Sequence, residues 1–130
     1  MLLYIHIPFC DSKCSYCAFN SYVDKFSLRK KYMDALLLQL DYELERFGVN
    51  AANKIETVFI GGGTPSTVDP ELYRPLFDAI SPFLAEDAEI TSEANPNSAT
   101  REWLQGMHAL GVNRISFGVQ SFDDAKLKTL

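Results

Sequence analysis

Four short apolar runs alternate with three stretches of helical periodicity, and that order leaves few folds open. The runs are Leu2 to Ile7, ended by Pro8; Val58 to Ile60, broken by three glycines; Ala88 to Glu93; and Asn113 to Val119, with Ile115, Phe117 and Val119 on one face. The first helical stretch has Ser27 as its expected N-cap, then Leu28, Tyr32, Leu36, Leu40, Leu44 and Phe47 at helical spacing, and ends at Gly48. The second starts at Asp69-Pro70, a capping residue followed by proline at the first helical position. Its predicted buried stripe is Leu72, Leu76, Phe77, Ile80 and Leu84. The third runs from near Thr100 to Leu110, buries Trp103, Leu104 and Met107, and closes at Gly111. Alternating strand and helix argues for parallel strands with crossover helices. Physics alone leaves an open doubly wound sheet and a barrel equally available, and in both the ligand sits at the carboxyl ends of the strands.

The chain of 130 residues holds at most one domain. Its 47% hydrophobic and 22% charged residues are ordinary for a globular protein. A net charge of −5 argues against broad nucleic-acid binding, which needs a basic surface. No apolar stretch approaches the ~20 residues of a membrane span. The last residues, Asp123 to Leu130, read as the opening turns of a helix. Residues 1–130 are therefore expected to be the N-terminal portion of a longer core domain.

Cys10, Cys14 and Cys17 are the only cysteines, and they fall on one loop in a C-x3-C-x2-C pattern. An odd count and the lack of a leader argue against a disulfide framework. A structural zinc site closed by His6 or His108 is the rival metal reading, without a second cysteine pair to favour it. Three thiolates on a short loop can each hold one iron of a cubane cluster and leave the fourth iron open to a small molecule. Free cysteines point to a reducing cytoplasm.

The runs Tyr4-Ile5-His6-Ile7-Pro8-Phe9-Cys10 and Cys14-Ser15-Tyr16-Cys17-Ala18-Phe19 resemble the radical S-adenosylmethionine (SAM) superfamily. Within it, the likeness is to the oxygen-independent coproporphyrinogen III oxidase group and its HemW-like haem-chaperone branch. Gly61-Gly62-Gly63-Thr64-Pro65-Ser66, Ser92-Glu93-Ala94-Asn95-Pro96 and Gly111 to Phe122 follow in the order the resemblance requires. It implies the first four βα units of a partial TIM-type (β/α)6 barrel. It implies that Cys10, Cys14 and Cys17 hold a [4Fe–4S] cluster whose open iron chelates SAM. One electron, from a donor such as flavodoxin or ferredoxin, would then break the sulfonium bond and give a 5′-deoxyadenosyl radical.

The resemblance also implies SAM contacts from Tyr4, Tyr16, Gly62, Gly63, Thr64, Glu93 and Gln120. Glycines let a backbone approach a ligand closely, and no Lys-Ser or Lys-Thr follows them as a phosphate loop would require. On this reading Gly62→Val should weaken SAM binding and spare the cluster. Glu93 and Gln120 are polar groups where strands should end. The two tyrosines are equally open to plain aromatic packing.

Two departures from the oxidase pattern favour the haem-chaperone branch. Phe19 stands where the oxidase branch carries a further cysteine, and the Tyr-x-His-x-Pro-Phe-Cys opening has no segment before it. The resemblance then implies haem as cargo and client haem proteins as partners, with porphyrinogen decarboxylation as the alternative. Among the remaining residues, Arg29-Lys30-Lys31 reads as a solvated face, His6 as a hydrogen-bonded strand histidine and His108 as surface. Arg114 either pairs with a carboxylate inside the barrel or is exposed.

Overall fold

Four parallel strands pair in the order in which the chain makes them. The computed structural model describes residues 1–9 and 25–117. The elements are β1 (Leu2–Ile7), α1 (Lys25–Arg46), β2 (Ile55–Gly62), α2 (Pro70–Ile80), β3 (Leu84–Ala94), α3 (Arg101–Leu110) and β4 (Arg114–Phe117). The sheet runs β1-β2-β3-β4, parallel throughout. Helix α1 packs on α2, and α2 on α3. A doubly wound sheet reverses its strand order and covers both faces, whereas this sequential winding belongs to a barrel wall.

Successive side chains of a strand point to opposite faces, so each strand sorts its residues by period two. Ile5, Ile7, Val58, Ile60 and Ile90 are buried against the helices, with Met33, Leu40, Leu76, Phe77, Ile80, Trp103 and Met107 completing the core. The opposite face is polar and aromatic. Tyr4 pairs with Phe59, Phe59 with Thr91, and Thr91 with Arg114, which makes one continuous layer across four strands. Tyr4 stacks on Phe59 with centroids 5.9 Å apart. Arg114 pairs with Glu89 at 3.1 Å on the same face with both side chains more than half exposed, so it is at once paired and solvent-facing.

The helix ends follow the expected chemistry. Asp69 Oδ1 accepts from the Glu71 amide at 2.9 Å, and Thr100 Oγ1 from the Trp103 amide at 3.1 Å. Gly111 ends α3 with φ of 124°, and the Val112 amide reaches back to the Met107 carbonyl at 3.0 Å. That backbone conformation carries a penalty for any residue with a Cβ.

Four expectations are corrected. Ser27 is not a cap, because α1 already runs from Lys25. Phe47 is exposed beneath the Arg46 guanidinium, just past the end of α1, and Met33, which the expected stripe omits, is buried. Leu84 opens β3, because Ser81-Pro82-Phe83 turns the chain out of α2 first. The buried stripe of α2 instead includes Tyr73, whose polar tip concealed it from an apolar pattern.

A cleft at the carboxyl ends of the strands

The functional geometry begins where β1 and β2 stop. Beyond Ile7 the chain leaves the sheet at Pro8. The glycines do not break β2 after Ile60 as expected, because Gly61 and Gly62 still pair with His6 and Ile7, and the chain bends only at Gly63. The Gly63 amide donates to the Ile7 carbonyl and the Thr64 amide to the Phe9 carbonyl. The Gly62 amide donates to Glu93 Oε1 at 3.1 Å, which joins the glycine turn to the end of β3. All three amides are thus committed within the chain. What the turn adds to a ligand site is carbonyl and hydroxyl oxygen, not a nest of N–H groups.

Gly62 has φ of 111°, and a Cβ there would lie 2.6 Å from His6 Nδ1 and 2.8 Å from the Ile7 carbonyl oxygen. A side chain at this position would therefore collide with the chain's own first strand. The expectation that Gly62→Val acts by intruding on a cofactor, while sparing the cysteine loop, changes accordingly. The collision falls on the segment that leads into Cys10.

Gly62, Gly63, Thr64, Pro65, Glu93, Ala94 and Asn95 line a cleft of about 170 Å³. Its far wall is pinned as well. Ser66 Oγ accepts from the Asn95 amide at 3.0 Å and lies 2.6 Å from Ser98 Oγ. Below the turn, the Tyr73 hydroxyl donates to the Pro65 carbonyl at 2.8 Å. Burial pushes the Tyr73 phenol far above its usual value, so it serves as a neutral donor.

Of the residues singled out from the sequence, Gly62, Gly63, Thr64 and Glu93 come together around this cleft. Tyr4 does not line it. It sits two residues before His6, in the layer below, with its hydroxyl 3.4 Å from His6 Nδ1. Cys10, Cys14, Tyr16, Cys17 and Gln120 lie outside the described residues. Among the described residues, no group of three His, Cys, Asp or Glu side chains stands together as a metal site. Asn95 and Ser66 were not singled out, although both lie in the quoted strand-end motifs. Their place at the same end of the sheet as Glu93 was the available signal.

Arg29 is also corrected. It is not on a solvated face: its guanidinium carbon lies 4.9 Å from the centre of the Phe9 ring, and burial holds its pKa below the ordinary value. Tyr32 meets Phe9 edge-on at 5.6 Å and donates from its hydroxyl to the His6 carbonyl. Burial raises the Tyr32 pKa, helped by Tyr4.

The residues present suit a cationic, zwitterionic ligand. A carboxylate oriented by a backbone amide stands beside carbonyl and hydroxyl oxygens, a set that accepts hydrogen bonds from an ammonium group. The three thiols upstream form a donor set suited to iron and sulfide.

The profile described as "Radical SAM superfamily" matches residues 4–130. The chain belongs to the radical SAM superfamily. It is 44% identical over 131 residues to "Heme chaperone HemW" of Escherichia coli (strain K12), covering 98% of this chain and 34% of that protein. It is 37% identical to the protein of the same name in Bacillus subtilis (strain 168), covering 98% and 34%. It is 40% identical to "Radical S-adenosyl methionine domain-containing protein 1, mitochondrial" of Mus musculus, covering 98% and 29%. Among solved structures, the coproporphyrinogen III oxidase HemN of Escherichia coli, titled a radical SAM enzyme, matches with a TM-score of 0.75 and 30% identity. That match covers 98% of this chain and 30% of the oxidase. The chain thus spans about a third of the length of these relatives. The superposition on the oxidase agrees with the barrel-wall reading of the sheet.

Proposed function

We propose that this chain is part of a haem chaperone built on a radical SAM core, which binds a [4Fe–4S] cluster and SAM and delivers haem to client haem proteins. Cys10, Cys14 and Cys17 would hold the cluster, and the cleft at the end of β2 and β3 would receive SAM. The observation that carries the reading is the similarity, over 98% of the chain, to proteins named for haem chaperoning. Phe19, at the position of the oxidase branch's further cysteine, points the same way. A reduced cluster with bound SAM supplies one-electron chemistry.

The chain's own part is placement. Glu93, held by the Gly62 amide, accepts the ammonium group of the methionyl end. The Thr64 hydroxyl lines the same cleft, and Ser66 fixes the opposite wall through Asn95. Tyr16 would contribute aromatic surface and Gln120 a polar group for the nucleoside end, and Tyr4, one layer below the cleft, would bear on the ligand through its contact with His6. Haem or porphyrin would be met by residues other than those described.

The second reading is oxidative decarboxylation of coproporphyrinogen III, and its support is the structural likeness to the oxidase. The odd cysteine count, which suits no disulfide framework, supports a reducing cytoplasm as its place. No helix among the described residues is long and apolar enough to cross a membrane.

The two readings separate in one experiment. Reconstituted protein is loaded with haem and mixed with an apo-client, and in parallel incubated with coproporphyrinogen III, SAM and a reductant. Transfer without decarboxylation is the expected result. Enzymatic turnover of the porphyrinogen would overturn the chaperone reading.

A further inference from the structure

We infer that the glycine turn and α1 form the two jaws of a clamp on His6–Phe9, and that Gly63 and Tyr32 act as positioning residues for the cysteine run. The inference rests on the reading that Cys10, Cys14 and Cys17 hold a cluster.

The segment His6–Phe9, from the end of β1 to the residue before Cys10, has few ways of being held beyond the sheet, because Pro8 has no amide hydrogen to donate. Its carbonyls carry the load. Three of them accept from outside the segment. The His6 carbonyl takes the Tyr32 hydroxyl of α1, the Ile7 carbonyl takes the Gly63 amide, and the Phe9 carbonyl takes the Thr64 amide. The Phe9 carbonyl carbon is bonded directly to the Cys10 nitrogen. The last of these bonds therefore sets the starting point of the first thiolate's backbone.

The fit is close on both sides. A Cβ on Gly63 would lie 2.9 Å from the Phe9 carbonyl carbon and 3.0 Å from the Ile7 oxygen, with the Phe9 oxygen closer still. Backbone cannot yield as a flexible side-chain tip can. On the other side the Phe9 ring meets Tyr32 edge-on at 85°, with Arg29 over its face. Cation–π and edge-to-face contacts both fix ring orientation. Gly63 is accordingly needed for contact with the chain's own backbone, whatever it does for SAM. The jaws also join two sites: the amides that hold the Ile7 and Phe9 carbonyls belong to the turn that borders the Glu93 cleft.

The test uses the full protein, reconstituted without oxygen. Iron and sulfide per chain, the rate of iron loss to a chelator, and the reduction potential of the cluster are measured for wild type, Gly63→Ala, Tyr32→Phe, Phe9→Leu and Phe9→Tyr. Gly63→Ala is expected to lose most of its iron. Tyr32→Phe removes one exposed hydrogen bond and should release iron about fivefold faster, with an altered potential and only a small fall in the thermal midpoint of the apo-protein. Phe9→Leu should release iron faster too, and Phe9→Tyr, which keeps the ring, should behave as wild type. If Gly63→Ala does not fold, Tyr32→Phe and the Phe9 pair decide. Wild-type iron content, lability and potential in these variants, with only SAM affinity lowered, would overturn the clamp. A wild-type protein that assembles no cubane overturns the cluster reading itself, and the clamp with it.

Discussion

Replacing Glu93 with glutamine isolates the charge of the cleft from its architecture. Glu93 Oε1 accepts from the Gly62 amide at 3.1 Å, and the glutamine carbonyl oxygen can keep that bond. The turn should therefore stay in place while the carboxylate is lost. A hydrogen bond to a charged group contributes about 1.5–3 kcal/mol and a neutral one about 0.5–1.5 kcal/mol. The difference, about 1–1.5 kcal/mol, corresponds to roughly five- to tenfold in affinity. The amide nitrogen would also point donor hydrogens at a ligand ammonium, so the loss should sit at the upper end. Glu93→Ala removes the acceptor for Gly62 as well and should cost more, in both affinity and stability. Equilibrium binding of radiolabelled SAM to reconstituted protein, with iron counted per chain, reads the effect. Equal SAM affinity in wild type and Glu93→Gln, at equal iron content, would refute the assignment of Glu93 to the ammonium group.

Two other outcomes test the scaffold. Tyr73 has a phenol pKa raised by burial above its ordinary value of 10.0, so the neutral form stabilises the fold below that pH. Above it, the unfolded chain releases a proton that the folded chain keeps, and stability should fall by about 1.4 kcal/mol per pH unit. Tyr73→Phe should reduce that alkaline slope to the share left by Tyr32, and at neutral pH should cost about 1–3 kcal/mol because the Pro65 carbonyl loses its donor. Urea unfolding from pH 8 to 11 reads both. Gly106→Ala should destabilise α3, although alanine ordinarily favours a helix by about 0.8–1 kcal/mol. A Cβ there would lie 2.7 Å from Pro70 Cγ, and a raised thermal midpoint would contradict this packing.

The strand–helix order was legible because each element carries its own period and its own stop. Asp69-Pro70, Thr100 and Gly111 are local signals, and the structure uses all three. Sheet order was not legible, since period and caps are identical in a barrel wall and a doubly wound sheet. It took the register of four strands to decide. Polar and amphipathic residues misled in both directions. Tyr73 is fully buried because Pro65 offers its hydroxyl a partner, and Arg29 is half-buried over Phe9. Tyr73 meets a partner eight residues back and Arg29 one twenty back, both outside the reach of a helical or strand period. The site was half legible. Gly62, Gly63, Thr64 and Glu93 do meet at one cleft. The reason for the glycines was hidden, because a Cβ there collides with a neighbouring strand that the local sequence does not reveal.

The central claim is that three thiolates hold a cubane with one iron open to SAM. Electron paramagnetic resonance of the dithionite-reduced protein, before and after SAM is added, examines it most directly. The account predicts about four irons and four sulfides per chain and a signal that changes when SAM binds. A full cluster whose signal ignores SAM, or a colourless protein with stoichiometric zinc, would contradict it.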